Sequence, residues 1–207
     1  MTGQKTHLYI VRHAQTEGNV KNTFGGNPQL TNEGRERTRE LSGRLPLGDI
    51  SKVYSSDYDR AVETAQIIIE NLEHLNEVVQ NKNLRERHYG HLENQPILQA
   101  HKDIHNKALA EDHDLMWNVQ LTTNDETNRQ AVDRFKRGLL YIVEANLGQH
   151  ILIISHGNVM RSFLVDLGFA TFNELRGGTL MNNGVVCLEC KGNNFNIINV
   201  EGVSPRR

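Results

Sequence analysis

Residues 8–19 read LYIVRHAQTEGN, and the interpretation of Leu8–Asn19 decides how the rest of the chain is organised. Leu8-Tyr9-Ile10-Val11 is a short apolar run, partly β-branched and bounded by polar residues, the pattern of a buried strand. Arg12 and His13 stand at its end, followed by the polar, turn-prone Ala14–Asn19. Open α/β sheets bind ligands in the crevice outside the carboxyl ends of their strands. A guanidinium beside an imidazole at such an end suits a phosphate site. It equally suits an exposed basic pair capping a strand, so the other strand ends must decide.

Working outward, the loop 21–29 holds Gly25-Gly26-Asn27-Pro28, a flexible stretch expected near a site mouth. A helix is predicted from Leu30 to about Leu45, with Thr31 or Asn32 as N-cap and Pro46 and Gly48 as the stop. Lys52–Ser55 reads as a second strand. Ser56-Asp57 is expected to cap a helix over Tyr58–Leu72, with Arg60 in its first turn. Val78-Val79 starts a third strand, leading to Leu84-Arg85-Glu86-Arg87-His88-Tyr89-Gly90. Residues 91–125 are polar and weakly periodic, and read as one or two helices forming an insertion or lid over the site. Thr127–Leu147 is an amphipathic helix. His150–Ile154 is apolar on both faces, as in the centre of a parallel sheet. Ser155-His156-Gly157-Asn158 follows, then a helix from Val159 to about Leu167. Gly184–Glu189 and Phe195–Val200 flank Lys191–Asn194 and read as an edge hairpin. Strand-then-helix alternation predicts a single α/β domain over residues 1–207. Its expected form is a three-layer α/β/α sandwich whose central sheet is mostly parallel, with an antiparallel edge hairpin.

The chain has 207 residues, 37% of them hydrophobic, and a formal net charge of -2. That size suits one domain with a core. No global basic field argues for nucleic acid or an anionic membrane, and Arg206-Arg207 is too short to change this. The apolar runs are too short for a membrane span or a signal peptide, so a cytoplasmic protein is expected. Cys187 and Cys190 form a CxxC by count, but three residues apart on a strand they point to opposite faces. Two buried free thiols are expected, with no redox or zinc role. The histidines at 88, 91, 101, 105 and 113 lack a metalloprotease-type base, so no metal is assigned. The oligomeric state is not readable; a homodimer through the edge hairpin is one option.

In a parallel sheet the strand ends lie on one edge. Arg12 and His13, Arg60, Glu86 and His156 each follow a strand, so they are expected to converge. Two guanidinium forks suit the oxygens of a phosphoryl group. A neutral imidazole is a nucleophile, and a nearby carboxyl group is a general acid.

LYIVRHAQTEGN, SSDYDRAVETA, LRERHYG and IISHGNVMR, in this order, resemble the motifs of the histidine phosphatase superfamily, also called phosphoglycerate mutase-like. The resemblance covers most of the chain outside residues 91–125 and the last strands. It implies that His13 is the nucleophile that becomes phosphohistidine. It further implies that Arg12, Arg60 and His156 form the phosphate pocket, with Asn19 as a further contact. Glu86 matches the acid that protonates the leaving group and then activates water. Gly157 and Asn158 lie beside the pocket, where a helix N-terminus could add N–H donors, and Gly25 lies at its mouth. No cofactor is implied. Ala14 stands where the family usually has Gly. Cofactor-dependent mutases of the family add basic residues, including an arginine pair, after the acid motif. Here His91–Asn124 has Lys102 and Lys107 but no arginine, and the mutase-type Trp after the nucleophile motif is absent. The expectation is therefore a metal-independent phosphomonoesterase acting on a small phosphorylated metabolite. The alternatives are a cofactor-dependent phosphoglycerate mutase and an inactive phosphate-binding relative.

Overall fold

The computed structural model describes residues 4–46, 49–70, 72, 74–111 and 115–204. Expectations resting on Gly48, Asp112, His113, Asp114, Arg206 and Arg207 lie outside these residues, as do the side chains of His105, Leu109 and Glu111.

Among the described residues six strands form one sheet: β1 (Thr6–Arg12), β2 (Ile50–Ser55), β3 (Val78–Gln80), β4 (His150–Ser155), β5 (Leu180–Lys191) and β6 (Asn194–Val203). Their order is β3-β2-β4-β1-β5-β6. β1, β2, β3 and β4 run parallel, while β5 and β6 are antiparallel to their neighbours. This is the expected mostly parallel sheet with an antiparallel edge hairpin. β1 and β4 are central, paired from His7↔His150 to Arg12↔Ser155. The carboxyl ends of all four parallel strands therefore share one edge, and β5 starts at that same edge with Leu180.

Both faces of the sheet are covered, because side chains alternate along each strand. On one face Leu8, Ile10, Ile151 and Ile153 pack against Val132, Phe135 and Leu139 of α6 (Asn128–Ala145) and Val159 and Phe163 of α7 (Gly157–Asp166). On the other, Val11, Val53, Leu152 and Ile154 meet Leu41 of α2 (Asn32–Ser42) and Ala61, Ala65 and Ile68 of α3 (Asp59–Ile69). Each buried Val, Leu, Ile or Phe among them stabilises the fold by about 1.5–3 kcal/mol. The two faces also separate the cysteines: Cys190 joins the first cluster and Cys187 borders the second. Cys187 is only half-buried, not fully buried as expected, and both are free thiols. Burial pushes the Cys190 thiol up to about 12 and raises Cys187 as well, so neither is a ready thiolate.

The helices are set by their caps. Thr31 caps α2 by accepting from the Gly34 N–H, and Gly43 ends it, earlier than Pro46. Thr127 and Gln130 form a capping box at the start of α6. The cap expected at Ser56-Asp57 is corrected: Tyr58 is the N-cap residue and makes no side-chain cap bond. Asp57 is instead held by both Nε and Nη2 of Arg85, at 2.6 Å each. A short helix not foreseen, α1 (Glu17–Lys21), carries its own capping box between Thr16 and Asn19. Residues 91–125, where one or two helices were expected, hold α4 (Gln99–Glu111) and α5 (Leu115–Asn118). Among the described residues, no helix is long and apolar enough to cross a membrane.

Candidate active site

A cavity of about 710 Å³ opens at the carboxyl edge of the sheet. Arg12 and His13 from the end of β1, Arg60 from the first turn of α3, Glu86 from the loop after β3 and Gly157 from α7 all line it. His156 sits behind this wall, its ring centroid 5.1 Å from that of His13. The strand ends thus bring together the dispersed residues expected to converge.

His13 is 4% exposed, and its Nδ1 lies 2.7 Å from the Ala14 carbonyl. A carbonyl only accepts, so Nδ1 carries the proton and Nε2 keeps its lone pair. Burial, then the nearby charges of Arg60 and Arg12, hold the His13 pKa well below the usual imidazole value. The ring is therefore neutral and nucleophilic at physiological pH. His156 is wholly buried and shifted the same way, first by burial and then by Arg60. Neither His156 nitrogen, nor Arg12 Nε, has a hydrogen-bond partner among the described residues. Buried polar atoms are nearly always paired; Arg12 Nε and the one protonated nitrogen of neutral His156 are donors suited to a ligand's acceptor atoms.

The two arginines are pre-aimed by the backbone. Arg12 Nη1 donates to the Leu180 carbonyl at the start of β5. Arg60 Nη1 donates to the Gly26 carbonyl, and its guanidinium lies 4.7 Å from the Tyr58 ring centroid. Burial lowers the Arg60 pKa to about 10, with Glu86 opposing the shift, and it remains charged near neutrality. Arg12 is lowered by burial too. Gly157 makes room for this arrangement: a Cβ there would sit 2.8 Å from Arg12 Nε and 2.9 Å from its Cζ. Gly25 has φ +35 and is backed by the Glu93 carboxylate, which accepts from the Gly26 N–H. The mouth loop is thereby tied to the segment before α4.

Glu86 pairs with neither flanking arginine. Arg85 goes to Asp57, and Arg87 to the buried Asp125 at 2.8 Å. The Glu86 carboxylate instead accepts from the backbone N–H groups of Arg87, Asn158 and Val159, each within 2.9 Å. Two of the N–H donors expected to serve the pocket from the α7 N-terminus are thus committed to Glu86. Asn158 lines the cavity, but its side chain is held by Asn128 and Arg161. Asn19 also lines it. Its Oδ1 accepts from Thr16 N, Thr16 Oγ1 and Asn182 Nδ2, which leaves the amide Nδ2 as the atom available to a ligand.

Ala14 does not have a positive φ. Its N–H donates to Thr64 Oγ1 at 3.0 Å, and its methyl packs with Leu30 and Ile67. The position requires a small side chain rather than a left-handed backbone, which an alanine meets. Several lining residues were not singled out from the sequence: Tyr89, Met116, Arg161 and Arg176. Tyr89 and Arg161 fall inside the quoted motifs but carried no assigned role there. Arg176 had only the turn signal of the two glycines after it. His101, considered above for metal, lines the cavity edge-on to Phe24. Among the described residues, no group of three or more His, Cys, Asp or Glu is placed to hold a metal ion.

The sequence model of the histidine phosphatase superfamily (branch 1) matches residues 8–201. The chain belongs to this superfamily. It is 33% identical over 158 residues to phosphoglycerate mutase-like protein 4 of Arabidopsis thaliana, covering 75% of this chain and 68% of that one. A Hydrogenobacter thermophilus protein provisionally named phosphoserine phosphatase 2 is 27% identical over 199 residues, 92% of this chain and 93% of its own. Among solved structures, Bacillus stearothermophilus YhfR superposes with a TM-score of 0.78 at 26% identity, covering 96% of this chain and 97% of that one. Phosphatase-named and mutase-named proteins therefore both stand among the relatives of this member of the superfamily.

Proposed function

We propose that the protein is a metal-independent phosphomonoesterase that works through a phosphohistidine on His13, acting on a small phosphorylated metabolite. The observation that carries this reading is the contact of His13 Nδ1 with the Ala14 carbonyl, which implies an Nδ1–H and an Nε2 lone pair, beside the buried Arg60, the half-buried Arg12 and an unpartnered imidazole. In the first step Nε2 attacks phosphorus and the bond from phosphorus to the ester oxygen breaks. Arg12, Arg60, the Asn19 amide and His156 hold the remaining phosphoryl oxygens by charge-assisted bonds. The departing oxygen takes its electron pair and a proton from Glu86. In the second step water attacks phosphorus, gives its proton to the Glu86 carboxylate, and releases orthophosphate with neutral His13 restored. The arginines neutralise the phosphoryl charge, so the scheme needs no metal.

Mutase chemistry is the second reading, because Arg161, Arg176 and Lys102 add positive charge to the cavity wall from places other than the expected arginine pair. The two readings separate in one experiment. Phosphate release from a panel of phosphomonoesters, with EDTA present, is run beside isomerisation of 3-phosphoglycerate. Release without isomerisation supports the phosphatase, and isomerisation stimulated by 2,3-bisphosphoglycerate overturns it. Neither activity, with phosphate still bound, indicates an inactive relative.

A further inference from the structure

Glu86 lies in a stretch with no strand of its own and only a 3-10 turn over Lys82–Leu84 before it. Its position is nonetheless heavily determined. Arg134 of α6, which does not line the cavity, sends Nη1 to the carbonyls of Asn83 (2.9 Å) and Arg85 (3.0 Å) and Nη2 to that of Glu86 (3.1 Å). Its Nε and Nη2 also meet the two carboxylate oxygens of Glu126, at 2.9 and 2.8 Å. A guanidinium has five N–H donors in a rigid fork, and all of them are used here. The intervening Leu84 carbonyl accepts from Ser155 Oγ of β4 at 2.9 Å. On the far side, Glu126 accepts from the His88 N–H and donates its own N–H to the His88 carbonyl. Thus each carbonyl from Asn83 to Glu86 has a fixed donor, and one arginine supplies three of the four.

We propose that Arg134, backed by Glu126, is a positioning residue for proton delivery to the leaving group, aiming Glu86 from outside the cavity. This rests on the phosphatase reading above. A purely structural clamp would need only some hydrogen-bond donors near these carbonyls. The Arg134 and Glu126 side chains are 19% and 17% exposed, so water can reach the freed carbonyls when the fork is removed. Water does not replace the geometry. The fork sets the spacing of three carbonyls over four residues, and lysine, a point charge on a flexible stem, cannot span them. A shift of about 1 Å in a reacting group costs about 100-fold in rate, within the range supplied by a general acid.

The test is kcat/KM for Arg134→Gln and Glu126→Gln on p-nitrophenyl phosphate, phenyl phosphate and an alkyl phosphate, with orthophosphate inhibition measured alongside. Expected for Arg134→Gln is a loss of about 30–100-fold on the alkyl ester and less than about threefold on p-nitrophenyl phosphate, whose leaving group needs no proton. Orthophosphate inhibition stays within about twofold, because Arg134 bonds none of Arg12, Arg60 and His156 and its charge is the smallest of the influences on the His156 ring. Glu126→Gln shows the same ordering with a smaller ratio, and it carries the test should Arg134→Gln fail to fold. An equal loss on all three esters, or no loss on any, overturns the proposal. Glu86→Gln is the control. If it too lacks leaving-group dependence, the acid assignment itself is wrong; if it shows that dependence and Arg134→Gln does not, only the role of Arg134 falls.

Discussion

Gly157→Ala separates the site's geometry from the fold's stability. The added methyl carbon would sit 2.8 Å from Arg12 Nε, and something must move. The flexible end of Arg12 is the cheapest thing to displace, because the opposing atoms are the tip of a long side chain rather than backbone. Removing glycine's freedom from the unfolded chain by itself favours the fold by about 0.4–1 kcal/mol. Thermal stability should therefore change little. The phosphoryl group, however, loses a charge-assisted hydrogen bond worth about 1.5–3 kcal/mol. That corresponds to a fall of roughly 10–150-fold in kcat/KM, at about 1.4 kcal/mol per tenfold. The assay is kcat/KM on p-nitrophenyl phosphate and orthophosphate inhibition, beside a thermal melt. Unchanged kinetics with an intact fold would refute the placement of Arg12 over the α7 terminus as the reason for glycine there.

Three further outcomes are expected. Glu86→Gln should lower kcat/KM on an alkyl phosphate by about 100-fold or more and on p-nitrophenyl phosphate far less; Brønsted plots against leaving-group pKa measure the difference. Ala14→Gly should cost about 0.5–1 kcal/mol of stability in denaturant titration, through lost packing on Leu30 and Ile67 and a freer unfolded chain, with activity kept. Stability should fall on acidification below about pH 6.5, because His13 and His156 are held neutral in the fold while the unfolded chain takes up their protons. For groups whose folded pKa is depressed in this way, stability is present above the unfolded value and lost as pH falls toward the folded one. Two such groups give a slope of up to about 2.7 kcal/mol per pH unit. Chemical denaturation at pH 7.5 and pH 5.5 should show a flatter dependence in His156→Asn than in the wild-type chain.

The parts legible in the sequence were those encoded by local pattern. β1 and β4 announced themselves because apolar residues on both faces of a short run mark a central strand. Once those strands were parallel, Arg12, His13 and His156 had to share an edge. The Glu86 neighbourhood was not legible, because its chemistry is decided by distant partners. Its place after a strand marks it for the site, but nothing local says what would hold it there rather than in an ion pair with Arg85 or Arg87. In the fold those arginines turn to Asp57 and Asp125, 28 and 38 positions away, and leave Glu86 to the α7 terminus. Arg134 gave no local sign either, being one charge among several on an amphipathic helix. The α1 cap was readable in principle. Thr16 and Asn19 have capping-box spacing, but Asn in the third helical position is a weaker signal than Glu or Gln.

The most direct test of the account is to trap the phosphoenzyme. The protein is mixed with a phosphomonoester in the presence of EDTA, quenched in alkali, where phosphohistidine survives, and mapped by mass spectrometry. A phosphoryl group on His13, absent from His13→Ala together with turnover, is the result expected from the neutral Nε2 nucleophile. Turnover with no phosphoryl group on His13, or full activity in His13→Ala, would contradict it.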